Sequence, residues 1–316
     1  MKQKILVYRI GYQGGFFYEY RQMIAAYVYC KLNNIKFKLY SVNANFAIEK
    51  GWTDFFEPFC EEATEEIHSL YNIHFKYPSI TKLLLKKVIK GITIPHWCWN
   101  KLSLWYLKLI VTAPYFKWKY HFNYYTHDLW SEVHKLNQHN TIQYNTIQYN
   151  TILNTWRFNE KTENEIEKIS GELNLPEKWI GLHIRRGDKI TEQPHIKIEE
   201  YIEMLKNKSN NLNLFVLTDD YSIIDGIQMQ YPEYHIYTLC KTSERGYNNS
   251  EFMNASIEKK RSGLIKLFAS VEILRKSEAF IGTASTGPSD FLIMLQHPIA
   301  LLAGTETAAS YLRKRN

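Results

Sequence analysis

Residues 179–192 read "WIGLHIRRGDKITE": an apolar run, then Arg185, Arg186, Asp188 and Lys189 within five positions. A short apolar run closed by a charged, glycine-containing turn predicts a buried strand that ends at a sheet edge. Taken alone, the turn fits two readings. It is a solvated turn, or it is a seat for a doubly phosphorylated ligand.

Outward from this strand the pattern is regular. "NEKTENEIEKISGEL" before it predicts a helix. After it come "IKIEEYIEMLKN" as a helix, "LNLFVL" as a strand, "YSIIDGIQMQY" as a helix and "YHIYTL" as a strand. A long helix over Ser262–Lys276, the strand "EAFIG" and the helix "PSDFLIMLQH" complete the series. Strands alternating with helices predict a parallel, doubly wound sheet.

Ligands of such sheets bind beyond the carboxyl ends of the strands. Three loops there carry chemistry: "RRGDKITE", Thr218-Asp219-Asp220, and "TASTGPS" at 283–289. Because each follows a strand of one parallel sheet, all three should converge on one crevice. In the third loop Gly282 and Gly287 match the glycines of G-x-x-x-x-G-K-[ST], but Pro288 replaces the lysine, which argues against a Walker-type ATPase. Pro288 suits a first helical turn. Ser285, Thr286 and backbone N–H groups would then face an anion; a plain helix cap fits the same residues. Arg185 and Arg186 offer bidentate contacts to a diphosphate, with Lys189 as a point charge beside them. Since consecutive strand side chains point to opposite faces, one arginine is expected on the ligand and the other on Asp188. The chain has no Asp-x-Asp motif of the kind metal-dependent sugar transferases use, so arginines and a helix terminus would stand in for the metal.

The first part of the chain predicts a second α/β unit. "KILVYRI" is a strand, "GYQGG" a turn, Phe16–Leu32 a helix and "IKFKLYSV" the next strand. Gly14 and Gly15 would let a donor approach the backbone. From Ile67 to His127 there is no Asp or Glu, yet there are nine lysines and fourteen aromatic residues. That composition fits first an aromatic core with a solvated basic side; the functional reading is a face for a sugar acceptor or an anionic membrane edge. "NTIQYNTIQYNTILN" (140–154) repeats every five residues, which matches neither helix nor strand, and is expected to be a surface link between domains 1–154 and 155–316.

The 316 residues suffice for two domains, and the net charge of +7 points to an anionic partner. The four cysteines, Cys30, Cys60, Cys98 and Cys240, are widely spaced, as in a reducing compartment rather than a disulfide or zinc framework. The opening residues have too short an apolar stretch for a signal peptide, and no run of about 18 apolar residues occurs. A cytoplasmic protein, at most peripheral to a membrane, is the expectation.

"GLHIRRGDKITE", followed by "IEEY", "VLTDD" and "FIGTAST", resembles the α1,6-fucosyltransferases, within the wider group that includes α1,2- and protein O-fucosyltransferases. The resemblance runs from "NEKTENEIEKI" to about Gln296, and more loosely through "GGFFYEYRQMIAAYVYCKLNNIKFKLY". It implies a GT-B fold, two Rossmann-like α/β domains whose parallel sheets face a cleft. It also implies inverting, metal-independent transfer of fucose from GDP-fucose to an oligosaccharide or glycoconjugate. Arg185 would then hold the β-phosphate, His183 would lie by the nucleotide, and Arg186 and Asp188 would support the loop. Lys189 would stabilise the leaving phosphate and Glu192 would be the general base, with Asp219 the second candidate. Asp219 and Asp220 would order the site, while Ser285 and Thr286 would contact phosphate. The chain departs from that family in two places. The loop before Glu192 is one residue shorter, and the acidic residue of the guanine or ribose region falls near Val271, beside Glu272. A transferase for another nucleotide sugar is the first rival reading. The second is an adhesive "RGD" protein or a nucleic-acid binder; no nucleic acid is expected.

Overall fold

In the computed structural model, which describes residues 5–11, 14–64, 68, 122–124, 142–188 and 194–304, the chain divides into two units. These are Met1–Arg157 and Phe158–Asn316.

In the first unit, strand β1 (Ile5–Arg9) leads through a glycine turn into helix α1 (Phe16–Leu32) and then to β2 (Lys36–Tyr40). β3 (Glu61–Glu62) and β4 (Phe122–Tyr124) complete a parallel sheet in the order β3-β2-β1-β4. Helix α1 buries Phe16, Tyr20, Met23 and Ile24. Aromatic packing extends from it, with Tyr20 stacked on Trp52 at 6.1 Å and Trp52 on Phe56 at 4.3 Å.

The five-residue repeat is not a surface link. It forms helix α2 (Ile142–Thr155), which packs on α1. A five-residue period drifts around a helix of 3.6 residues per turn, so no single member of the repeat marks a face. Tyr144, Thr151, Ile152 and Thr155 are buried instead, at helical spacing and drawn from different copies. The hydroxyls of Tyr20 and Thr155 share a 2.7 Å hydrogen bond, and Lys31 Nζ donates to Thr151 Oγ1 at 3.2 Å.

The second unit begins with α3 (Glu160–Gly171), where Asn159 caps the helix by accepting from Thr162 N at 2.9 Å. Its strands are β5 (Ile180–Ile184), β6 (Asn213–Thr218), β7 (His235–Tyr237), β8 (Ala279–Thr283) and β9 (Ala300–Ala303). They form a parallel sheet in the order β7-β6-β5-β8-β9. Its helices are α4 (Ile198–Lys206), α5 (Ser222–Gln230), α6 (Asn249–Asn254), α7 (Ile257–Arg275) and α8 (Gly287–Met294).

β5 and β8 are buried at every position because helices cover both faces. Ile180, Leu182 and Ile184 share a core with Tyr201, Ile202, Leu205 and Ile224. On the other face Gly181 meets α7, where a Cβ would stand 2.7 Å from Leu274 Cδ2. From β5 the chain adds β6 and β7 on one side, then β8 and β9 on the other. The strand read from "WIGLHI" is therefore the switch point of the sheet.

The sequence pattern omitted β9 and α6, and it started α7 five residues late. The first turn of α7 exposes its one apolar residue, Ile257, so no buried face marks it, and its start is signalled by Ser256, which accepts from Lys259 N at 3.3 Å. Among the described residues Cys30, Cys60 and Cys240 are unpaired thiols, and burial pushes each up to about 12. Among the same residues no helix is long and apolar enough to cross a membrane.

Candidate active site

The site is built where β5, β6 and β8 end side by side. His183, the penultimate residue of β5, is only 3% exposed. Its Nδ1 shares a hydrogen bond with Ser289 Oγ at 2.8 Å, and Thr286 Oγ1 lies 3.5 Å away. Burial, and then the charge of Arg185, lower its pKa to about 3, so the ring is neutral. Thr283, at the end of β8, ties the neighbouring strand in: its Oγ1 donates to His183 O and accepts from Arg185 N, each at 3.0 Å.

Beyond the strand, Gly187 takes a left-handed φ of +53° and returns Asp188 to Arg185. Arg185 Nη2 meets Asp188 Oδ1 at 2.6 Å, and Nη1 pairs with Asp219 Oδ2. The division of the two arginines between ligand and Asp188 expected from strand alternation does not hold, because the arginine at the strand end takes Asp188 itself. It is Arg185, and not Arg186, that pairs with Asp188. Arg186 instead turns inward, with Nη2 donating to Ile196 O at 2.9 Å, and burial lowers its pKa. An "RGD" whose arginine is buried and whose glycine is clamped is no adhesive loop.

Asp219, at the end of β6, is the knot of the site. Oδ1 accepts from Arg186 N at 2.7 Å; Oδ2 accepts from Tyr247 N at 2.7 Å as well as from Arg185. Both oxygens are therefore engaged in holding the turn and Arg185. Asp220 lies at the start of α5, where its Oδ1 accepts from Ser222 N at 2.9 Å.

The third loop sits at the start of α8. Ser285 is exposed with φ +57°, a strained conformation for a residue other than glycine. The Thr286 hydroxyl, expected on phosphate, is buried and donates to Thr283 O at 2.6 Å. No side chain caps α8, and Pro288 occupies its first turn. The outward-facing groups are thus Ser285 and the backbone of the helix start.

Several sequence-read residues fall elsewhere. Lys189 and Glu192 lie outside the described residues, as does the basic aromatic stretch at 67–127 apart from His68 and 122–124. Gly14 and Gly15 belong to the first unit. Gly14 N donates to Glu19 Oε1 at 3.0 Å, and Gly15 is the N-cap of α1. Val271 is fully buried in α7, and Glu272 pairs with Arg275 at 2.7 Å. Among the described residues no group of three or more His, Cys, Asp or Glu could hold a metal ion.

Sequence reasoning missed Thr283, Ser289 and the segment around Tyr247. Gly246 (φ +101°) presses on Gly187: a Cβ on Gly246 would lie 2.8 Å from Gly187 Cα. A Cβ on Gly187 would lie 2.4 Å from Tyr247 O. Asp188 N donates to Tyr247 O at 3.1 Å, and Asn249 N donates to Asp188 Oδ2 at 3.2 Å. The available signal was the lone "RGY" (245–247) within a polar tract, where glycine precedes an aromatic.

Residues 36–286 match a family model described as alpha-(1,6)-fucosyltransferase N- and catalytic domains. An alpha-(1,6)-fucosyltransferase of Caenorhabditis elegans is 26% identical over 113 residues, 32% of this chain and 20% of that protein. The chain thus spans a fifth of the length of that curated relative. Fucosyltransferase NodZ from Bradyrhizobium is similar in structure, with TM-score 0.54 and 12% identity over 95% of this chain and 94% of that one. A NodZ alpha-1,6-fucosyltransferase crystal soaked with GDP-fucose gives TM-score 0.52 and 14% identity over 93% of each chain. POFUT1 in complex with GDP-fucose gives 0.52 and 11%, over 95% of this chain and 97% of that one. At these identities the structural likeness is one of fold.

Proposed function

The chain belongs to the alpha-(1,6)-fucosyltransferase N- and catalytic domain family, and on that footing we propose that it moves fucose from GDP-fucose to a hydroxyl of an oligosaccharide or glycoconjugate. One observation carries the reading: Arg185 and the uncapped start of α8 end up together beyond three adjacent parallel strands. One solved structure of the same fold was soaked with GDP-fucose and another is in complex with it, which supports that donor.

The reaction is a single inverting displacement. An acceptor oxygen bonds to the anomeric carbon from the face opposite GDP. The bond from that carbon to the β-phosphate oxygen breaks, and the acceptor proton passes to a carboxylate. Arg185 meets the charge that develops on the departing diphosphate, where a fork of N–H donors matches two oxygens. Lys189, Ser285 and the N–H groups of α8 add to it. Of the two carboxylates on Arg185, Asp188 is the more exposed, 40% against 16% for Asp219, so Asp188 yields to phosphate and Asp219 stays. Glu192 takes the proton, on the strength of the family resemblance. The charge is met by side chains and a helix terminus, without a metal. The stretch at 67–127 selects the acceptor, in a cytoplasmic setting with peripheral membrane contact.

Separate titrations with GDP, UDP and dTDP test the donor class. GDP is expected to bind tightest, and tight binding of UDP alone rejects the reading. Fucose transfer that survives EDTA supports the metal-free route; loss of activity that Mg²⁺ restores overturns that part.

A further inference from the structure

We propose that Tyr247 is a positioning residue for Arg185, holding the face of its guanidinium so that the fork meets the donor's diphosphate; this rests on the donor reading above. Arg185 leaves its strand on a long side chain. Its two carboxylate partners fix directions within the guanidinium plane, and neither stops the plane from tilting. The Tyr247 ring does: Arg185 Cζ lies 5.0 Å from its centroid, within cation–π range. Once phosphate takes the place of Asp188, the ring and Asp219 continue to orient the cation.

The ring is itself immobilised. The Tyr247 backbone donates to Asp219 and accepts from Asp188, its hydroxyl donates to Asn249 Oδ1 at 3.1 Å, and Phe252 stands 6.1 Å away. The Gly187–Gly246 contact allows no side chain between the two segments, so Tyr247 is pressed onto a turn sixty residues earlier in the chain. Burial raises the phenol to about 12, which keeps the ring neutral while it faces the cation. A neutral face is what the contact needs; the hydroxyl serves only to anchor the ring.

Calorimetric titration of the full chain with GDP and with GMP separates this role from general stability, because only GDP carries the β-phosphate. Tyr247→Leu is expected to cut the GDP-over-GMP affinity ratio about tenfold, with GMP affinity held within about twofold, the range of a buried cation–π contact. Tyr247→Phe retains the ring face and should keep the ratio. An unchanged ratio in Tyr247→Leu overturns the inference, and so does a ratio lost in Tyr247→Phe. A wild-type chain that does not distinguish GDP from GMP overturns the donor reading, and the inference with it. If wild type discriminates, failure of the Tyr247 variants to behave as stated counts against the positioning role alone.

Discussion

Each unit has a strand that runs into a glycine turn held by a carboxylate, and the two turns are built for different ends. After β1, Gly11 (φ +74°) and Gly14 donate their N–H groups to the two oxygens of the buried Glu19. After β5, Arg186 N and Tyr247 N are received by the two oxygens of Asp219. Glu19 is local, only five to eight residues from its donors, and serves backbone. Asp219 comes from another strand, and it holds Arg185 as well. The first carboxylate holds backbone N–H groups; the second holds backbone N–H groups and keeps a cation in place.

The comparison breaks first at Arg185. Arg185→Lys keeps the charge and loses the fork, so kcat in a fucose-transfer assay should fall by about a thousandfold with little change in melting temperature. Near-normal turnover would reduce the second turn to scaffold.

The glycines sharpen the contrast in stability. Gly187→Ala drives a Cβ into Tyr247 backbone at positive φ and should cost about 3 kcal/mol in urea unfolding. Gly14→Ala meets first the exposed Tyr18 ring at 2.7 Å, a side chain that can swing outward, so about 1 kcal/mol is expected. Equal costs would erase the distinction between a clamped and an open turn.

His183 lies at the second turn, and the first has no counterpart to it. Its folded pKa is depressed to about 3 from 6.5, so the unfolded chain takes up a proton that the folded chain refuses as pH falls through 6.5. Stability should then drop by about 2 kcal/mol from pH 7 to pH 5 on its account, and His183→Asn should flatten that slope. A slope that survives the substitution assigns the effect to other groups.

Glu19→Gln is the mildest test. It turns one acceptor into a donor facing an N–H and should cost about 1 kcal/mol in urea unfolding. A loss as large as that of Gly187→Ala would make the first turn as tightly built as the second.

The second unit was legible because its central strands are unbroken apolar runs, each followed by a helix of clear period, and parallel order then brings the three loops together. β9 escaped because "ALLA" is too short to separate from the end of a helix, and its half-buried residues show no alternation. The repeat misled because its own period was read as the structural one, when burial follows the helix and ignores the repeat. At the site, the charged residues announced themselves by type. Their partners did not. Thr283 reads as an ordinary strand end, and Tyr247 as one aromatic among polar residues. The contact of Gly187 with Gly246 is long-range, and no local pattern encodes it.

The helix made from "NTIQY" units has a consequence for how the chain can change. Repetitive tracts gain and lose whole units easily when they are copied. One extra unit here would advance the helix by about 7.5 Å and turn all that follows by about 140°. Thr155 would then swing away from the Tyr20 hydroxyl. The tract therefore cannot drift in length as an unstructured repeat can. Its number of copies is held by the helix it packs against.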